Sequence, residues 1–264
     1  MARLCTRALA VLWPLLLVMP AFGRDTGFLD RTVSLGGEAY RYQVFVPANW
    51  TKTQKWPVIL FLHGSGERGN DGLKPTDVGI GHAIRLSPHL IPFVVVMPQC
   101  REGKIWSDPA MEAQALAALD HAIREFHGDR NRIYLTGISM GGYGTWDYAA
   151  RMPGKFAALA VICGGLAGPK DWPELHVPMM DDPRIADPYA ETARRIGKTP
   201  VWIFHGDVDD SVRVEEARKM AAALKAAGAN FQYTEYPGVG HNSWDKAYTD
   251  PKLIPWLLDQ SLHH

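Results

Sequence analysis

Tyr134-Leu135-Thr136-Gly137-Ile138-Ser139-Met140-Gly141-Gly142 is a short apolar run that passes directly into a Gly-x-Ser-x-Gly turn. The run has the length of a buried strand, and residues 141–152 read as a helix closed by Pro153-Gly154. A serine between the two is forced into a tight strand-to-helix bend, so its hydroxyl projects above the sheet edge. Gly137 and Gly141 let neighbouring backbone approach where a Cβ would clash. So short a motif occurs by chance, and the rest of the chain must supply its partners.

Outward from this turn, continuous apolar runs alternate with helical stretches. Residues 58–62, 91–97, 133–136, 158–162 and 201–204 read as buried strands, as in a parallel sheet covered on both faces. A further strand spans 231–236. Upstream, Tyr40, Tyr42, Val44 and Val46 alternate with other residues, the pattern of a half-buried antiparallel strand ended by Pro47-Ala48-Asn49-Trp50. Helical periodicity covers 111–126 and 214–227, each followed by a glycine stop, Gly128 and Gly228. It is broken over 244–262 by Pro251 and Pro255. The expected fold is α/β: a mostly parallel, doubly wound sheet with an antiparallel N-terminal strand. Residues 164–188 hold five prolines and read as a long loop after a strand end. Its reading is either a substrate-binding wall that includes Trp172 or a surface excursion.

The length of 264 residues fits a single catalytic domain over 24–264, preceded by a segment of different character. Arg3 and Arg7 lead into an apolar stretch over 8–22, followed by Ala21-Phe22-Gly23. This reads as a secretory signal peptide over 1–23, shorter than a membrane-spanning helix requires, and implies a secreted or periplasmic protein. No later stretch is long enough to span a membrane. The formal net charge is zero, which leaves no electrostatic footprint for nucleic acid. Cys100 and Cys163 each follow a buried strand, and these strands are not expected to be neighbours, so both read as buried free thiols.

A serine hydroxyl needs a base to take its proton, usually a histidine oriented by a carboxylate. Downstream of Ser139, the strand over 201–204 ends in His205-Gly206-Asp207-Val208-Asp209-Asp210-Ser211-Val212. The strand over 231–236 is followed by Gly238-Val239-Gly240-His241-Asn242-Ser243-Trp244. Serine, acid and histidine thus follow separate strands in the order this architecture uses. Three aspartates compete for the acid role, and Asp210 or Ser211 reads as a cap for the next helix. His241, set among small residues, is the expected base, while His63 and His205 read as structural. Two backbone donors must meet the oxyanion: Met140, next after the nucleophile, and Ser65 in the glycine-rich loop His63-Gly64-Ser65-Gly66-Glu67-Arg68-Gly69. That loop lacks the spacings of a nucleotide-binding loop. Glu67 and Arg68 read as an ion pair bracing it, with substrate contact as the other role for Arg68.

These segments, with Met97-Pro98-Gln99-Cys100 and Gly240-His241-Asn242-Ser243-Trp244-Asp245, resemble the secreted esterase and "predicted peptidase" branch of the α/β-hydrolases. That branch is similar to phospholipase/carboxylesterase proteins, feruloyl and acetylxylan esterases and the catalytic domain of prolyl oligopeptidases. The resemblance covers residues 40–260. It implies that the aspartate of a His-Gly-x-x-Asp turn is catalytic, which selects Asp209, and it supports Ser65 and Met140 as oxyanion donors.

The expected activity is hydrolysis of a small-molecule or saccharide carboxylic ester through an acyl-enzyme, with no cofactor and no metal. Trp106, Trp172 and Arg68 are the expected substrate-binding residues. A serine peptidase of prolyl-oligopeptidase type would use the same three residues, and the absence of room for a propeller domain favours the esterase. A non-catalytic carbohydrate-binding module, stacking tryptophans on sugar, is the reading from another class. The acyl group, the alcohol and the oligomeric state are not encoded in any of these motifs.

Overall fold

The computed structural model describes residues 25–262, so the expected signal peptide over 1–23 lies outside the described residues. The elements run β1 (Gly27–Leu35), β2 (Glu38–Val46), β3 (Trp56–Leu62), α1 (Ile80–Leu86), β4 (Val94–Pro98), α2 (Pro109–Glu125), β5 (Gly128–Ile138) and α3 (Met140–Arg151). They continue through β6 (Ala158–Ile162), α4 (Pro188–Ile196), β7 (Val201–Gly206), α5 (Glu215–Ala226), β8 (Phe231–Tyr236), α6 (Trp244–Tyr248) and α7 (Leu253–Leu258).

One eight-stranded sheet carries them in the order β1-β2-β4-β3-β5-β6-β7-β8. β2 is antiparallel to both β1 and β4, and every later pairing is parallel. A single strand therefore runs against the rest. The chain leaves β3 toward β4, then crosses back to β5 on the other side of β3. This reversal opens a crevice at the carboxyl ends of β3 and β5, the place where open α/β sheets bind ligands.

All seven residues of β3 are buried, as a strand covered on both faces requires. Val58, Leu60 and Leu62 pack into one core with α2, α3, α4 and α5; Ile59 and Phe61 face the opposite core with α1, α6 and α7. α2 starts with Pro109 in its first turn, and Met111, Ala115, Ala118, Leu119, Ala122 and Ile123 form its buried stripe. α3 is buried from Met140 to Ala150. Its one buried acid, Asp147, is held by Arg151 at 2.9 and 2.6 Å, which satisfies the charge in an apolar setting.

Several expectations change in detail. The strand expected over 91–97 begins only at Val94, because Pro92 precedes it and Ile91 is buried without sheet pairing. β1 was not anticipated: its alternation is interrupted by Asp30, Arg31 and Ser34, and it is an edge strand held by β2. The short helices α1 and α4 were also not anticipated. Pro251 splits the segment over 244–262 into α6 and α7. Val214, not Asp210 or Ser211, stands at the start of α5, and no side chain caps it.

Residues 164–188 form the expected long loop, with one 3₁₀ turn at Pro178–Asp181. Glu216 of α5 fastens its beginning. The carboxylate accepts from the amides of Leu166 and Ala167 at 3.0 Å each and from Tyr189 Oη at 2.7 Å. Val177 N donates to Leu166 O at 2.9 Å and closes the intervening segment on itself. Cys100 and Cys163 are buried and unpaired.

Candidate active site

β5 ends in the tightest bend of the site. Ser139 adopts φ 51°, ψ −120°, a sparsely populated region for a residue with a Cβ, and α3 starts at the next residue. The bend is possible because Gly137 lies against the Gly141 carbonyl and Gly141 against Leu62 O; a Cβ on either would overlap those atoms. Ser139 N donates to Ile162 O of β6 at 3.0 Å, which holds the bend to the sheet.

The chain brings three distant side chains together here. His241 Nε2 lies 2.8 Å from Ser139 Oγ, and His241 Nδ1 lies 2.8 Å from Asp209 Oδ2. Asp209 follows β7, and His241 sits on the loop after β8. Gly206 allows this junction: a Cβ there would overlap the carbonyls of Val239 and Gly240, just before His241. Val208 N donates to Val239 O at 3.1 Å, and Asp207 accepts from Gly238 N at 2.7 Å, so Asp207 is a turn residue joining the two loops.

The Asp209 side chain is fully buried and that of His241 is 23% exposed, so the relay meets solvent through the imidazole. Oδ1 of Asp209 accepts from Ser211 N and Val212 N, both at 2.9 Å. Burial alone would raise this carboxyl's pKa. The hydrogen bonds from His205 and His241 outweigh burial and hold it well below the usual carboxylate range. His205, read as structural from the sequence, meets this carboxylate: its Nε2 lies 3.2 Å from Asp209 Oδ2.

Across the crevice, the loop after β3 passes over Ser139. A Cβ on Gly64 would stand 3.6 Å from Ser139 Cβ. His63, fully buried, fixes this loop. Cys100 N donates to His63 Nε2 at 2.9 Å, so the ring proton resides on Nδ1 and is donated to Gly64 O at 2.6 Å. Burial pushes the His63 pKa down to about 4, in keeping with the neutral tautomer. In a trans peptide the N–H points opposite the C=O, so anchoring Gly64 O turns Ser65 N–H away from the His63 ring. Gln99 sews the same loop down, donating to Glu67 O at 3.0 Å and accepting from Gly72 N at 2.7 Å. The motif Met97-Pro98-Gln99-Cys100 thus brackets the loop from β4. The backbone N–H of Met140 is the first of α3 and has no partner within the helix.

The expected substrate-binding residues separate. Trp106 is 1% exposed, donates Nε1–H to His63 O at 2.9 Å and packs edge-on against the His63 ring. It is a core residue that supports the loop, which corrects the expectation that it touches substrate. Arg68 lies 5.1 Å over the Trp172 ring, donates Nε–H to Ser65 O at 3.0 Å and pairs with Glu102 at 3.8 Å. The expected Glu67–Arg68 ion pair is absent among the described residues, because the guanidinium turns outward to Glu102 and Trp172. Arg68 and Trp172 line one open depression of about 560 Å³ with Gly103, Ile105, Asp108 and Glu174.

Cys163, Asp209 and His241 also present S, O and N atoms within 4.8 Å of one another. Both nitrogens of His241 are engaged by Ser139 and Asp209, and burial raises the thiol pKa, which opposes thiolate formation. This donor set suits proton transfer better than metal ligation.

The fold and the crevice define a member of the α/β-hydrolases. Residues 101–249 match the dienelactone hydrolase family, and the chain belongs to that family. A carboxymethylenebutenolidase-like protein of Escherichia coli O157:H7 is 35% identical over 133 residues, covering 49% of this chain and 44% of that protein. A carboxylesterase-like protein of Arabidopsis thaliana is 28% identical over 204 residues, covering 70% and 72%. Among solved structures, a thermostable esterase is 31% identical with a TM-score of 0.73, covering 89% of this chain and 63% of its own. A ferulic acid esterase, at 18% identity and a TM-score of 0.65, shares the fold. The chain spans less than half the length of the curated relatives it matches first.

Proposed function

We propose that this protein is a serine hydrolase of carboxylic esters, with Ser139 as nucleophile, His241 as general base and Asp209 as the carboxylate that orients the imidazole. The observation that carries the reading is the unbroken relay, 2.8 Å from Ser139 Oγ to His241 Nε2 and 2.8 Å from Nδ1 to Asp209 Oδ2. Ser139 Oγ attacks the ester carbonyl as its proton passes to Nε2. The N–H groups of Met140 and Ser65 hold the oxyanion, and the imidazolium then protonates the departing alcohol. Water, deprotonated by His241, attacks the acyl-enzyme carbonyl and releases the acid with Ser139 restored. The chemistry uses these side chains and backbone groups alone.

Arg68 and Trp172 are proposed to line the side on which one half of the ester rests, and a small-molecule or saccharide ester is the substrate class. Export through residues 1–23 is part of the same reading. It is supported by a secreted protein of Arthroderma benhamiae that is 25% identical over 243 residues, covering 80% of this chain and 24% of that protein. Among the described residues no helix is long and apolar enough to cross a membrane.

Ser139→Ala should abolish hydrolysis of p-nitrophenyl acetate and labelling by a fluorophosphonate. Turnover or labelling at the wild-type rate would overturn the assignment. Methyl ferulate and a proline anilide, run beside the acetate, separate ester from peptide cleavage.

A further inference from the structure

We propose that His205 is a positioning residue that holds the Asp209 carboxylate ready for His241 independently of His241 itself, an inference that rests on the proposed roles of Ser139, His241 and Asp209. His205 is the penultimate residue of β7 and is fully buried. Its Nε2 lies 2.8 Å from Val212 O and 3.2 Å from Asp209 Oδ2. Both neighbours are acceptors, so Nε2 carries the proton and shares it between them. Nδ1 is buried and has no partner among the described residues, so Nε2 alone links the ring to its surroundings.

The consequence is geometric. Ser211 N and Val212 N fix Oδ1 of Asp209, but two bonds to one oxygen leave the carboxylate plane free to tilt. His241 cannot supply the missing restraint, because it lies on a partly exposed loop and must exchange protons during each turnover. His205 supplies it from a strand. β7 pairs with β8, with His205 opposite Glu235, and a side chain on such an element is placed more narrowly than one on a loop. Oδ2 therefore stays where Nδ1 of His241 needs it even as the imidazole gains and loses charge. The same N–H ties Asp209 to Val212, so the whole turn after β7 is closed on one ring.

The titratable groups around this pair are few. His241 faces Asp209 from the loop after β8, and Cys163 approaches from the end of β6. Glu235, on β8, is held by Arg218 of α5 at 2.6 Å and by Tyr233. None of these replaces the His205 donor on Oδ2.

The test compares His205→Leu, which removes the donor, with His205→Gln, whose amide can restore it. The Leu variant should lower kcat roughly 10- to 100-fold with little change in KM, because a small displacement of the relay is costly in the transition state. The Gln variant should restore kcat. A folded Leu variant with wild-type kcat overturns the proposal. So does equal loss of kcat in both variants, the result expected from packing alone.

Nitrogen-15 NMR of the histidine-labelled wild type gives a second measure that requires no variant to fold. His205 should show a proton on Nε2, hydrogen-bonded toward Val212 O and Asp209 Oδ2, and an Nε2 without a proton overturns the assignment. Ser139→Ala separates the two levels. Activity surviving there defeats the serine mechanism, whereas an inactive Ser139→Ala beside an unaffected His205→Leu defeats only the positioning role.

Discussion

Cys100 donates its backbone N–H to Nε2 of His63 at 2.9 Å, and that bond decides the tautomer of a buried imidazole. The neutral ring is built into the fold, with a pKa lowered to about 4 by burial, while the unfolded chain titrates near the ordinary value of ~6.5. Between these values the unfolded state binds the proton and the native state does not, so stability falls as pH decreases through the window. The loss by pH 4.5 should be about 2–3 kcal/mol relative to pH 7.5, and it should be largely absent from His63→Gln. Urea unfolding of both proteins at the two pH values measures it.

Ser139 stores backbone strain at φ 51°. Glycine tolerates that conformation without a Cβ, so Ser139→Gly should be more stable than Ser139→Ala by about 1 kcal/mol while both are inactive. Thermal unfolding of the two variants, with activity measured beside it, checks the trade between strain and function.

Gly206 is the contact between the acid turn and the histidine loop. Gly206→Ala must push Val239 and Gly240 outward and carry His241 away from Asp209. A shift of about 1 Å should reduce kcat on the order of 10²-fold, more than it raises KM. Steady-state kinetics on p-nitrophenyl acetate, together with circular dichroism to confirm folding, test this.

Arg68 and Trp172 should divide by role. Trp172→Ala removes lining of the open depression and the ring beneath Arg68 but leaves the Arg68–Ser65 bond, so it should raise KM for bulky esters several-fold and change acetate esters far less. Arg68→Ala also frees the Ser65 carbonyl from its 3.0 Å bond, so it should reduce kcat for every ester in the panel. Equal effects of the two substitutions across the panel would refute the division.

The periodicity of the chain made the parallel sheet legible, because strands buried on both faces are written as unbroken apolar runs such as 158–162. Ser139 and the acid turn each follow such a run, His241 follows the mixed strand 231–236, and the family resemblance rather than periodicity singled out Asp209 among three aspartates. The edge strand β1 escaped because its face is split by charged residues and its pairing partner, not its own pattern, defines it. Trp106 misled for a different reason: a tryptophan in a loop reads as exposed until the ring is seen beneath His63. The supporting histidines were hidden by burial. His63 bonds through both ring nitrogens to Gly64 O and Cys100 N, and His205 reaches Val212 O and Asp209. His205 stands in the His-Gly-x-x-Asp turn, but that spacing does not say which atoms its ring meets.

The closure of residues 166–177 by one backbone hydrogen bond has a practical meaning. The two ends of this segment are fastened to each other and, through Glu216, to α5, while none of the atoms that form the relay belongs to it. Residues 168–176 form a closed appendix to the sheet: Trp172 reaches the crevice through Arg68, and Leu175 pegs the segment to the core, so changes that keep these two anchors alter the lining of the depression while Ser139, Asp209 and His241 stay with their strands.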